Sequence, residues 1–278
     1  MEIPEKMRLI GARIKKMRKV LVAFSGGVDS SLVLKLAVDA LGENALAITS
    51  SSPTMPESEL EQAKSVASLI GAKHEVIFTQ ELRNPDYASN PIDRCYFCKT
   101  GLYADLHKIA SERGFEFILD GANADDVGDF RPGMKAASEQ KIISPLKDAG
   151  IAKDEVRALA KQLDLPNWNK PSSPCLSSRF PYGTKITVNG LRKVEKAEQF
   201  IRNLGIEGNL RVRYMEKLAR IEVDKPEFHI LTENSDEILR YLTYLGFEFV
   251  ELDLRGFISG RLNETMLENK EKQVELGK

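Results

Sequence analysis

Short apolar runs alternate with amphipathic stretches along the first two thirds of the chain. Val20–Phe24 is a continuous apolar run that ends in Ser-Gly-Gly, the pattern of a strand buried on both faces of a parallel sheet. Leu32–Leu41 then follows helical spacing and stops at Gly42. Ala45–Thr49 reads as a strand, Glu57–Ile70 as a helix closed by Gly71, and His74–Phe78 as a strand. Residues 79–94 carry Asn84-Pro85 and Asn90-Pro91 without periodicity and read as a loop. Lys99–Arg113 reads as a helix closed by Gly114, Phe115–Leu119 as a strand, and Lys153–Leu163 as a helix. Residues 4–19 form an amphipathic basic pattern, read as a solvated helix lying on this domain. The alternation predicts an α/β fold, a doubly wound parallel sheet with right-handed crossovers.

The rhythm breaks at Leu165–Tyr182, which holds four prolines and no period, and reads as an ordered loop bridging two domains. Beyond it come a helix (Val188–Leu204), strands (Leu210–Tyr214 and Leu218–Val223), a helix (Asp236–Leu245) and a strand (Phe247–Leu252). That is a smaller α+β domain. The expected division is therefore 1–170, 171–262 and a polar, flexible tail at 263–278.

Composition narrows the class. With 42% hydrophobic and 29% charged residues the chain builds real cores, which excludes a disordered or fibrous protein. Net charge is −1, from 40 basic and 41 acidic residues, and neither half is the strongly basic body that grips nucleic acid. No apolar run approaches a membrane span, and Met1–Val22 lacks a leader core, so a cytoplasmic location is expected. In that reducing compartment three cysteines point to metal or redox chemistry rather than to disulfides.

Ser25-Gly26-Gly27-Val28-Asp29-Ser30-Ser31 joins the first strand to the first helix after it. Glycines let backbone approach a ligand closely, and a helix start offers N–H groups to phosphate. Ser25, Ser30 and Ser31 add hydroxyls, and Asp29 is placed to hold magnesium. The bland alternative is an ordinary turn with a serine cap. No G-x-x-x-x-G-K-[ST] and no G-x-G occurs, which excludes kinase-type and Rossmann-type loops.

A second run, Gly121-Ala122-Asn123-Ala124-Asp125-Asp126-Val127-Gly128-Asp129 continuing to Arg131-Pro132-Gly133, follows a strand and so lies at a sheet's ligand-binding edge. Asn123, Asp125 and Asp126 there either cap a polar turn or face magnesium and nucleotide. Cys95 and Cys98 form a C-x-x-C read as lying before a helix, and Cys175 sits in Pro174-Cys175-Leu176-Ser177-Ser178-Arg179. Three soft donors suit a [4Fe–4S] cluster with one open iron. Three unlinked thiols, or zinc with a water or histidine, remain as alternatives. Arg211 and Arg213, two apart on a strand, share a face and make a fork for a phosphate monoester. Glu222 on the next strand would pair with them or hold a metal, and Glu198 on the preceding helix is a further acidic candidate; the bland reading is a strand with cross-strand ion pairs.

Ser25-Gly26-Gly27-x-Asp29-Ser30 resembles the PP-loop of the adenine-nucleotide alpha hydrolases, which grip the β,γ-pyrophosphate of ATP and adenylate an acceptor oxygen. With the run at 121–133 and Pro171–Gly183, the chain to about Arg261 is similar to the LarE-type ATP-dependent sulfur transferases. That resemblance implies ATP, Mg²⁺ and a pyridinium biscarboxylic acid mononucleotide, whose adenylated carboxylate exchanges AMP for sulfur. It implies either a sacrificial cysteine at Cys175 or, with Cys95 and Cys98 also present, a [4Fe–4S] form fed by a sulfide source; the cluster form is expected. It further implies acceptor phosphate on Arg211 and Arg213 beside an acidic partner, and a homo-oligomer, a hexamer. The rival readings are a tRNA thiolase with the same loop and a nucleotide sensor or cluster carrier without turnover.

Overall fold

The computed structural model describes residues 3–128 and 132–262. Asp129 and Arg131 of the acidic run and the tail read at 263–278 lie outside the described residues. In chain order the elements are α1 (Ile3–Met17), β1 (Val20–Ala23), α2 (Val28–Leu41), β2 (Ala45–Ser51), α3 (Glu57–Ile70), β3 (Lys73–Phe78), the one-turn α4 (Pro85–Ala88), α5 (Arg94–Arg113) and β4 (Phe117–Leu119). Then follow α6 (Pro132–Glu139), α7 (Pro145–Asp148), α8 (Lys153–Gln162), α9 (Val188–Asn203), β5 (Leu210–Met215), β6 (Leu218–Val223), α10 (Phe228–Glu233), α11 (Ser235–Tyr244) and β7 (Phe249–Leu252). No helix among the described residues is long and apolar enough to cross a membrane.

The chain divides into two compact units, one running to Tyr87 and resuming at Asp93–Pro174, the other combining Ala88–Ile92 with the chain from Cys175. The first unit holds a parallel sheet in the order β3-β2-β1-β4, with Val20 opposite both Ala45 and Phe117. Alternation along β1 fills two cores. Val20 and Val22 pack with Ile14, Leu32 and Val156 on one face, and Leu21 packs with Tyr103, Leu106 and Ile118 on the other. Helices thus cover both faces, as the unbroken apolar strand requires. From β1 the chain winds outward through β2 to β3, then returns to place β4 on the other side of β1. The carboxyl ends of β1 and β4 therefore flank the topological switch point, where open α/β sheets bind ligands.

The second unit is a three-stranded sheet, β5-β6 antiparallel and β6-β7 parallel, with α9 and α11 packed around Val212, Ile221, Ile238 and Leu242. Ala88–Ile92 goes with this unit for a specific reason. Fully buried Asn90 donates through Nδ2 to the carbonyls of Phe180 and Pro181, and Ile186 N–H donates to the Ala88 carbonyl.

Two helix starts differ from the sequence expectation, and both matter. α2 begins at Val28 rather than Leu32, so Asp29, Ser30 and Ser31 occupy its first turn. α5 begins at Arg94 rather than Lys99, because no proline or glycine interrupts 94–98 and the Arg94 side chain is buried. Cys95 and Cys98 therefore lie within the first two turns of a helix instead of ahead of it.

Candidate functional site

In the first unit, the Ser25–Asp29 turn packs against two neighbours that leave no room for side chains. Gly26 has φ of 73°, and a Cβ there would lie 2.8 Å from Ala63 Cβ. A Cβ on Gly121 would lie 2.7 Å from Ser30 N, so the loop after β4 rests on the start of α2. Ser30 Oγ organises the turn by donating to Gly27 O at 3.0 Å while lying 3.1 Å from Ser25 Oγ. Beside it opens a cleft of about 200 Å³, lined by Ser25, Gly27, Asp29, Lys153, Lys170 and Ser172 among others. Ser25, Gly27 and Asp29 face this cleft. Ser30 and Ser31 are 4% and 0% exposed and stand behind its wall, so their hydroxyls brace the turn instead of lining it.

Asp29 is held by Lys153 Nζ and by Asn123 Nδ2 at 3.0 Å. Asn123 is fixed in turn: its N–H donates to Asp126 Oδ2 and its Oδ1 accepts from Asp125 N, both at 3.0 Å. Asp125 Oδ2 accepts the Lys153 N–H at the start of α8. Of this trio, Asn123 touches Asp29 directly, whereas Asp125 and Asp126 shape the loop that carries it. Lys170, from the proline-rich segment, pairs with Glu59 at 2.6 Å across the same cleft. Two ammonium groups thus face a glycine turn at a helix start, an arrangement that suits a polyphosphate. The Asp29 carboxylate, with room beside it for phosphate oxygens, also fits a magnesium ion, which takes one or two protein ligands and substrate phosphates.

Cys95 is exposed and Cys98 half-buried, three apart and so on one helix face. Beside them the buried Tyr103 phenol is pushed above its ordinary range by burial, the Asp120 carboxylate it donates to, and Cys98. Cys175 belongs to the second unit, half-buried at the start of the 3-10 turn Leu176–Arg179. Among the described residues no group of three or more His, Cys, Asp or Glu is gathered to hold a metal ion.

That turn is locked within its own unit. Arg179 grips Glu198 with Nε and Nη2 at 2.9 Å each, and its Nη1 donates to Cys175 O and Ser178 Oγ. Glu198 Oε1 also accepts Val212 N–H at 2.9 Å, covering the edge of β5. Arg213 donates through Nε and Nη2 to Glu222 Oε2 and through Nη1 to Ser178 O. Arg261 reaches Glu222 Oε1 at 3.0 Å and Asp253 at 2.7 Å. The Glu198 carboxylate thus holds one guanidinium group and that of Glu222 holds two. Arg211 is buried over the Phe257 ring, and burial together with the nearby charge of Arg179 brings it down to about 10. The two arginines singled out by spacing do share this neighbourhood.

Asn167, Lys153, Lys170, Arg179 and Arg261 escaped the sequence reading. Four of them lie in or beside stretches without periodicity, where the only signal was a basic or amide residue among prolines and glycines.

A family model described as NAD synthase matches residues 5–85, the stretch from α1 through β3 that contains the glycine turn. An uncharacterised protein of Synechocystis sp. is 45% identical over 90% of this chain and 94% of its own length. The pyridinium-3,5-bisthiocarboxylic acid mononucleotide synthase of Lactiplantibacillus plantarum is 41% identical over 92% of both chains. An uncharacterised protein of Methanocaldococcus jannaschii is 32% identical over 88% of this chain and 92% of its own length.

Proposed function

The chain belongs to the LarE-type family of ATP-dependent sulfur transferases, and from that premise we propose that it adenylates a carboxylate of a pyridinium biscarboxylic acid mononucleotide and replaces AMP with sulfur, a step in nickel-pincer cofactor biosynthesis. The reading is carried by the near full-length identity to a named bisthiocarboxylic acid mononucleotide synthase, and the cleft of the first unit supplies chemistry that agrees with it.

The acceptor carboxylate oxygen attacks the α-phosphorus, the bond to the bridging oxygen breaks, and pyrophosphate leaves. Ser25 Oγ and Gly27 N–H donate to the phosphates at the positive end of α2. Lys153 and Lys170, each now paired with a carboxylate, exchange that partner for phosphate oxygens and balance the leaving charge. Asp29 would hold Mg²⁺, which when bound would supply positive charge to offset that of the phosphates. A sulfur nucleophile then adds to the acyl carbon and expels AMP. Arg211 and Arg213 are proposed to receive the acceptor's phosphate, Arg213 in exchange for its bond to Ser178.

The three thiols fit a [4Fe–4S] donor set chemically, since they are soft ligands not tied up in disulfides. Cys95, Cys98 and Cys175 would hold it, and when bound it supplies an iron site for a hydrosulfide. We place the reaction in the cytoplasm, in a homo-oligomer.

The test is anaerobic purification with iron and sulfide analysis, pyridinium-dependent conversion of ATP to AMP and pyrophosphate, and mass spectrometry of the Cys175 peptide after turnover. Iron at about four per chain with intact Cys175 supports the cluster form. Dehydroalanine at 175 without iron shows a sacrificial donor. AMP formation that requires tRNA instead of the pyridinium substrate overturns the substrate class.

A further inference from the structure

Asn167 lies five residues beyond α8, 141 residues from the glycine turn, yet it is bonded to that turn. It is 2% exposed, and its Nδ2 donates to Gly26 O at 2.8 Å and to Ser31 Oγ at 2.9 Å. A carbonyl oxygen only accepts, so the amide nitrogen must face the turn. Its Oδ1 is buried without a partner. An amide with one half unpaired is an expensive way to fill space, since burying an unmet acceptor costs stability that an aliphatic side chain would not. Its donors, and not its volume, are its use.

The consequence for the turn follows from peptide geometry. In a planar trans peptide the C=O and N–H point in opposite directions. Holding Gly26 O behind the turn therefore aims Gly27 N–H the other way, to the cleft side, where it donates over a long 3.4 Å to Ser25 Oγ, a bond that a phosphate oxygen would replace. Gly26 and Gly27 have no side chains to resist rotation of the peptide between them, and the rotated form would present a carbonyl oxygen to the ligand. We propose that Asn167 is a positioning residue that locks the Gly26–Gly27 peptide in the orientation presenting its N–H to a pyrophosphate group. Through Ser31 it also fixes the first turn of α2 behind the same wall. The inference rests on the ATP reading above and adds to it the device that keeps the anion cradle preformed.

The test is equilibrium binding of Mg²⁺–pyrophosphate and Mg²⁺–ATP to the full-length chain, with steady-state kinetics in ATP. Asn167→Asp keeps the shape and removes the donors. Asn167→Ser, too short to reach both acceptors, serves where the Asp variant does not fold. Leu165→Ala, in the core of the same segment, is the control for structural damage alone. The Asn167 variants are expected to bind pyrophosphate and ATP at least about tenfold more weakly, with KM for ATP raised by the same factor and kcat little changed. Leu165→Ala is expected to lower the melting temperature and leave pyrophosphate affinity unchanged. Asn167 variants that bind pyrophosphate as the wild type does, or a Leu165→Ala loss equal to theirs, would overturn the proposal while leaving the ATP reading intact. A wild-type protein that binds neither pyrophosphate nor ATP would overturn both.

Discussion

The two units carry ion pairs of opposite character. In the cleft of the first, Lys153–Asp29 and Lys170–Glu59 are single contacts between partly exposed side chains, at 35% and 23% exposure for one pair and 12% and 20% for the other. In the second, Glu222 is 2% exposed and binds two guanidinium groups, and Arg179 at 3% grips Glu198 with two parallel bonds. A lone, half-wet pair gains little and is easily exchanged for a better anion. A buried, multiply bonded network is costly to open, because removing one member strands the others without water. The first arrangement is built to be traded and the second to hold a shape, here the turn that begins at Cys175.

Breaking the second network should therefore give the largest effect. Glu222→Ala takes the carboxylate from buried Arg213 and leaves Arg261 with Asp253 alone, and the expected loss is about 3–5 kcal/mol, read as the shift in urea or thermal unfolding of the second unit. Gly121→Ala comes next. Its methyl would sit 2.7 Å from Ser30 N, against backbone that cannot swing aside, so loop and helix start must separate. A loss of about 1–3 kcal/mol is expected together with weaker ATP binding. Unchanged ATP affinity in a folded Gly121→Ala protein would show that the β4 loop and the phosphate turn are not coupled.

The cleft lysines invert that balance. Lys153→Met and Lys170→Met should each change stability by about 1 kcal/mol or less, since the pairs they break are partly exposed. KM for ATP should nevertheless rise by roughly tenfold or more, because the same ammonium groups would face the phosphates. Should either variant lose more stability than ATP affinity, the contrast between exchangeable and structural pairs would be lost for that residue.

How far the chain could be read by eye follows the same divide. Val20–Phe24, Glu57–Ile70 and Leu218–Val223 were legible because burial on two faces or one stripe imposes a local period. The phosphate turn was legible because Gly26 must take a positive φ, which marks the residue itself. The early starts of α2 and α5 were missed because their first turns carry chemistry-bearing residues in place of a periodic apolar stripe. Asn167 and Arg261 were invisible for another reason: their partners Gly26 and Glu222 lie 141 and 39 residues away, and no local pattern records such a contact. Glu198 and Glu222 do lie beside arginines, but charge counting alone cannot show that those arginines already use their oxygens.

Acid should separate the two regions, with the smallest effect of the set. In the first unit His74 lies edge-on to Phe24, just before the phosphate turn, and donates through Nε2 to Thr49 Oγ1, whose own proton goes to Phe24 O. Burial, and then the charge of Lys64, holds its pKa below the ordinary 6.5. A histidine depressed in the folded state stabilises above its unfolded pKa, because the unfolded chain takes up the proton first; that contribution fades as pH falls from about 6.5 through the folded value. In the second unit Asp253 lies below its ordinary 3.8: burial would raise it, but the Arg255 N–H and the charges of Arg261 and Arg255 outweigh that. Its contribution is present above the unfolded value and is lost only as pH drops through the still lower folded one. Unfolding of the first unit should thus soften as pH falls below about 6.5, where the second unit still holds, and His74→Gln should flatten the first slope without touching the second. Equal softening of both units across that range, followed by tryptophan fluorescence at Trp168 for the first and by hydrogen exchange on β5 and β6 for the second, would mean that the acid-sensitive group lies elsewhere.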